Sequence, residues 1–110
     1  MGTNYYMVKN KPTLHSPLHI GKSSCGWKFL FHSVDSWEYE VRLNSYEDWK
    51  RFIYTEVEAG NFVILDEYER QLEPDELFEI IDNAQKNENP DNFRYNENID
   101  GYRFWDRDFS

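Results

Sequence analysis

A single cysteine, Cys25, stands in the whole chain, so no internal disulfide can hold the fold together. Its neighbours are glycine, serine and two flanking lysines, a setting that reads as a small filler with nothing marking an activated thiol. Internal repeats and low-complexity tracts are also missing, which excludes solenoids and linkers. No apolar run approaches the roughly 20 residues needed to cross a bilayer. The N-terminus lacks the basic and apolar regions of a signal peptide, so a cytoplasmic location is expected.

What the chain has in excess is aromatic side chains: 18% of 110 residues, with 4 Trp, 8 Tyr and 8 Phe. That content argues against a disordered tail and for a core built on large amphipathic rings, some of whose polar ends must reach the surface. The length fits one domain over 1–110 with one hydrophobic core. Charge is unevenly spread. Through Leu65 there are 7 acidic and 7 basic residues, whereas from Asp66 onward there are 14 and 5, so the whole net charge of −9 belongs to the latter part. Such a field repels phosphate backbones and anionic lipid; it disfavours direct binding of nucleic acid or membrane and favours a basic protein partner.

Local patterning predicts an α+β fold, a small antiparallel sheet with two helices packed on it. Asn4 to Val8 and Leu18 to Ile20 read as short strands. Gly26 to Val34 and Trp37 to Leu43 alternate with period two and suit a hairpin. Ser45, with acidic residues following, caps a helix whose apolar positions are Trp49, Phe52, Ile53 and Val57, and Gly60 supplies the stop. Phe62 to Leu65 is a fully apolar strand, expected inside the sheet, and the acidic turn Asp66 to Arg70 is expected in water. A second helix starts near Pro74 and runs through Leu77, Phe78, Ile80, Ile81 and Ala84. In the tail, Asp100-Gly101 signals a hairpin that brings its aromatic residues back onto the domain.

The densest group of chemically useful side chains is H-I-G-K-S-S-C-G-W, His19 to Trp27. It reads either as a glycine-bracketed hairpin loop with surface polar residues or as a ligand site built from His19, Lys22, Ser23, Ser24 and Trp27, where Lys22 gives a cation and Ser23 and Ser24 hydroxyls, for a nucleotide-like anion with Lys22 on phosphate and Trp27 stacking a base. It is not a P-loop, because the upstream glycine is missing and the segment leads into a strand pattern. His15, His19, Cys25 and His32 are ligand types zinc accepts, but only the first two have paired spacing, so ordinary strand and loop histidines are expected and neither metal nor cofactor is assigned. Carboxylate pairs such as Asp66 with Glu67, or Asp75 with Glu79, arise from abundance, and no G-x-S-x-G elbow is present, so no catalytic residue is assigned. Asp66, Glu67, Glu69, Asp75 and Glu79, with Trp105, form the candidate partner-binding set.

At M-G-T-N-Y-Y, Met1 to Tyr6, and at H-I-G-K-S-S-x-G-W, His19 to Trp27, the chain resembles a family of small proteins encoded by tailed bacteriophages and prophages; the closing D-F-S is similar too. Some members carry a Cys-x-x-Cys pair before the second motif, which implies a zinc knuckle there. This chain has Lys11, Pro12, Thr13 and Leu14 in that stretch and no cysteine, so the knuckle does not carry over. The resemblance implies a phage accessory product that redirects or blocks a host process. The leading expectation is therefore non-catalytic binding to a host protein, one of defence or nucleic-acid handling, through an acidic and aromatic surface. A nucleotide-binding loop at His19 to Trp27 and a carboxylate face that imitates DNA are the alternatives.

Overall fold

The structure, a computed structural model, describes residues 2–11, 16–24, 28–36, 39–86, 97–99 and 102–105. Nine strands and two helices occur among them: β1 Gly2–Lys9, β2 Leu18–Ser24, β3 Leu30–His32, β4 Val34–Ser36, β5 Val41–Leu43, α1 Tyr46–Glu58, β6 Phe62–Asp66, β7 Gln71–Leu72, α2 Pro74–Ala84, β8 Glu97–Ile99 and β9 Tyr102–Trp105. Seven strands form one sheet in the order β7-β6-β1-β2-β3-β9-β8, and β4 and β5 form a separate hairpin. The expected α+β architecture with two helices is present, and the sheet is larger than expected. It is also mixed, because β9 joins β3 in parallel. β9 thus lies beyond β3 at the far side of the sheet, and its antiparallel partner β8 lies outside it.

Both helices bury one stripe against the same sheet face. Trp49 and Ile53 from α1, and Leu77, Phe78, Ile81 and Ala84 from α2, join Met7, Ile20, Phe29, Phe31, Ile64 and Phe104 in one cluster. Ser45 caps α1 by accepting a hydrogen bond from the Asp48 backbone N–H at 3.1 Å. At the other end Gly60 takes φ +81°, a left-handed conformation that glycine adopts without the Cβ penalty. Pro74 opens α2, and Glu73 with Glu76 forms a reciprocal capping box.

Three boundaries differ from the sequence reading. The segment expected as a loop from His19 is a strand as far as Ser24. The long strand expected from Gly26 to Val34 breaks at Ser33, after which β4 leaves the main sheet to pair with β5. The Trp49 indole N–H takes the His32 carbonyl at 3.0 Å, so the strand's last carbonyl is satisfied by a side chain. Third, Trp37 and Glu38 of the expected strand lie outside the described residues, and β5 begins only at Val41.

Candidate functional site

A β-bulge decides which side chains of the His19 segment meet. In the β1/β2 ladder Tyr5 lies opposite Gly21 and Tyr6 opposite His19, so Ile20 has no partner of its own. Ile20 and Leu18 are buried toward the helices, while His19 and Lys22, three apart, both come to the opposite face, where Lys22 faces Asn4 across the ladder. Gly21 is needed at the bulge. A Cβ there would stand 2.2 Å from the Leu30 carbonyl oxygen and 2.5 Å from the Phe29 ring.

On that face three rings stack in a row, Tyr6 on His19 at 4.9 Å and His19 on His32 at 5.3 Å between centroids. Asn4 ties the row to the acidic turn. Its backbone N–H and side-chain N–H2 both donate to Glu67 Oε1, at 2.8 and 3.4 Å, which leaves Asn4 Oδ1 to accept from His19 Nε2–H at 2.9 Å. In the neutral ring the proton is thereby placed on Nε2, with Nδ1 as the acceptor nitrogen. Beside the two imidazoles lies a cavity of about 480 Å³, lined also by Ser33, Asp35 and Asn44. The Asn4 amide thereby orients the His19 ring.

The structure separates the expected ligand set. His19 borders the cavity, but Lys22, Ser23 and Ser24 do not line it; they are half-buried strand residues. Gly21 and Lys22 pair on both edges, with β1 and with β3, so their backbone groups serve the sheet and do not form a phosphate cradle. Trp27 lies outside the described residues, as do His15 and Cys25. Of the four metal-type residues, His19 and His32 come together, and among the described residues no group of three such side chains forms a metal site.

The partner-binding set divides as well. Asp66 is only 6% exposed: its Oδ1 accepts from the backbone N–H of Tyr68 and Arg70, both at 2.9 Å, and Arg70 Nε approaches Oδ2 at 3.4 Å. It is the organising residue of the turn, not part of an outer face. Glu67 is exposed but committed to Asn4. Glu69, Asp75 and Glu79 are exposed, and Glu73, Glu76 and Asp82 join them on the same stretch of chain. Trp105 ends β9 in register with His32, and its side chain lies outside those described.

The acidic helix leaves its mark on neighbouring phenols. Tyr54 donates to Asp75 Oδ1 at 2.6 Å, and this bond, with burial and the carboxylate's charge, pushes its pKa up to about 12. Tyr46 and Tyr102 stack face to face at 4.1 Å; burial raises both, with Asp82 adding to the effect. Burial followed by the charge of Asp66 raises Tyr5. For a phenol with a raised folded pKa, the stabilisation is complete below its unfolded value near 10 and is lost as pH rises through the folded value. The fold is therefore expected to weaken from about pH 10 toward pH 12, and ultraviolet titration of Asp75→Asn should show one tyrosine ionising at lower pH than in the parent chain.

Sequence reasoning missed Asn4, Tyr6 and Tyr54 as site-building residues. Asn4 and Tyr6 had no signal beyond the strand pattern, because their roles depend on the bulge register. Among the described residues no helix is long and apolar enough to cross a membrane. Comparison with family models, with curated proteins and with solved structures gives no match.

Proposed function

We propose that the protein is a non-catalytic binding protein whose α2 helix, with the preceding β6–β7 turn, is recognised by a basic surface on a partner protein. One observation carries this reading. Glu69, Glu73, Asp75, Glu76, Glu79 and Asp82 are exposed along one continuous stretch, and among the described residues none of them is in an ion pair, the pairs there being Arg42 with Asp35 and Arg70 with Asp66. Neither helix has a basic residue within its last turn; just past α2, Lys86 Nζ donates to Asn83 Oδ1 at 3.4 Å. A field of this kind steers a cationic partner into encounter and repels nucleic acid. The phage-family resemblance supports a host protein as that partner, met in the host cytoplasm.

The nucleotide alternative at His19 to Trp27 has less support, since the backbone that would cradle phosphate is paired in the sheet. The test uses carboxylates with no part in the fold's own capping. Glu73 and Glu76 hold the capping box and Glu67 holds Asn4, so the variant is Glu69→Gln, Asp75→Asn, Glu79→Gln and Asp82→Asn combined. In affinity capture from a bacterial lysate at low salt, a protein retained by the parent chain should be lost with this variant. Retention of the same proteins by both chains would remove the proposal.

A further inference from the structure

The end of β1, the β5 edge, α1 and the start of β6 enclose a second concavity, of about 310 Å³, which is lined by rings and carboxylates. Phe62 forms its floor, with the Phe52 ring at 5.5 Å and 61° and the Tyr39 ring at 5.6 Å and 60° between centroids. These three rings present faces and edges around one space, the arrangement in which ring quadrupoles attract a cation. Each wall is held in place. The Tyr39 hydroxyl donates to the Ser16 carbonyl at 2.9 Å, and Phe52 leans edge-on against buried Trp49.

The chain already seats an ammonium there. Lys9 Nζ lies 4.9 Å from the Phe62 centroid and 5.9 Å from that of Tyr39. Among the described residues Lys9 makes no ion pair, although Glu40 and Glu56 both line the cavity. Glu56 is turned to accept from Asn61 Nδ2 at 2.9 Å, and Glu40 sits at φ 54°, a left-handed conformation unfavourable for a side chain of this kind. Two carboxylates thus border a space whose resident cation is a single lysine, held by rings alone on a flexible stem at a strand end. We infer that this ring-and-carboxylate cavity is a binding site for an alkylammonium group, with Lys9 as the resident cation that an incoming ammonium displaces. None of its residues belongs to the α2 stretch, so it stands or falls apart from the function proposed above.

The test is a nuclear magnetic resonance titration of the full, isotope-labelled chain with tetramethylammonium chloride and, separately, with Nα-acetyl-lysine amide, each against sodium chloride of equal ionic strength. Saturable shifts of the Tyr39, Phe52 and Phe62 ring signals are expected with at least one of the two ammonium compounds. Saturation by tetramethylammonium alone assigns a free quaternary amine, and saturation by both assigns a lysine side chain of a partner. Lys9→Met, which keeps the apolar stem, should tighten binding about three- to fivefold, and Phe52→Leu should weaken it by a similar factor. Should either of these variants fail to give a folded spectrum, Glu40→Gln at the exposed rim serves instead and should weaken binding. Shifts that merely follow sodium chloride, or saturable binding that the variants leave unchanged, would overturn the inference.

Discussion

Phe31→Ala is expected to cost about 3–5 kcal/mol of folding stability, read as a fall in the denaturant midpoint with an unchanged slope. Phe31 is 0% exposed and is the hub of the aromatic core. Its ring stacks on Phe104 at 5.0 Å and 15°, meets Phe29 at 4.7 Å, and takes edges from Tyr46 and Tyr102 at 6.1 and 5.9 Å. Those partners come from the segment leading into β3, from α1 and from β9, so truncation opens a void that no single element can close. A loss of this size is a large share of the 5–15 kcal/mol typical of a domain. Phe31→Leu, which keeps most of the volume, should cost markedly less. If the alanine variant lost under about 1 kcal/mol, the ring cluster would not be the centre of the core.

Gly21→Ala should be the most damaging change of a single methyl group. The added Cβ meets the Leu30 carbonyl at 2.2 Å and the Phe31 Cα at 3.0 Å, which are backbone atoms of the neighbouring strand and cannot rotate away. Overpacking ordinarily costs about 1–3 kcal/mol, and a backbone wall places this case at or above the upper end. The consequence is also topological. β3 is the one strand joining β9 and β8 to the rest of the sheet, so forcing β2 from β3 loosens all three. Hydrogen exchange should show the amides of Leu30 to His32 and of Arg103 and Phe104 losing protection before those of β1 and β6. Uniform protection across the sheet would contradict the close β2/β3 approach.

The same contact also explains why a motif that reads like a loop runs as strand β2 as far as Ser24. In H-I-G-K-S-S the glycine resembles the phosphate-binding kind, and its composition alone favours a turn. Gly21 is required instead by strand spacing at a bulge, which is a tertiary fact that local propensity does not contain. The elements most legible in the sequence were those with their own local signals. These are α1 with Ser45 and Gly60, α2 with Pro74, the apolar strand β6, and the β8/β9 pair, whose register joins Ile99 to Tyr102 across the Asp100-Gly101 step. Less legible was everything set by long-range pairing: the parallel β3/β9 contact, the departure of β4 from the main sheet, and the meeting of His19 with Asn4 and His32.

The candidate partner set shows the same division. Abundance of carboxylates marked the stretch from Asp66 to Glu79, but composition does not distinguish Asp66, buried as the pivot of a turn, from Glu79, exposed on α2. Nor does it reveal that Lys9 sits between Tyr39 and Phe62, since these residues are brought together only by the chain's return along β6.

The acidic stretch of α2, without an ion pair among the described residues, is the centre of the functional account, and its most direct test is the association rate of a captured protein measured across a salt series. The parent chain should bind with a rate that falls steeply as salt rises, and the fourfold carboxamide variant should bind more slowly at low salt with a flattened dependence. A rate indifferent to salt, or the same slope in both chains, would contradict recognition through this face.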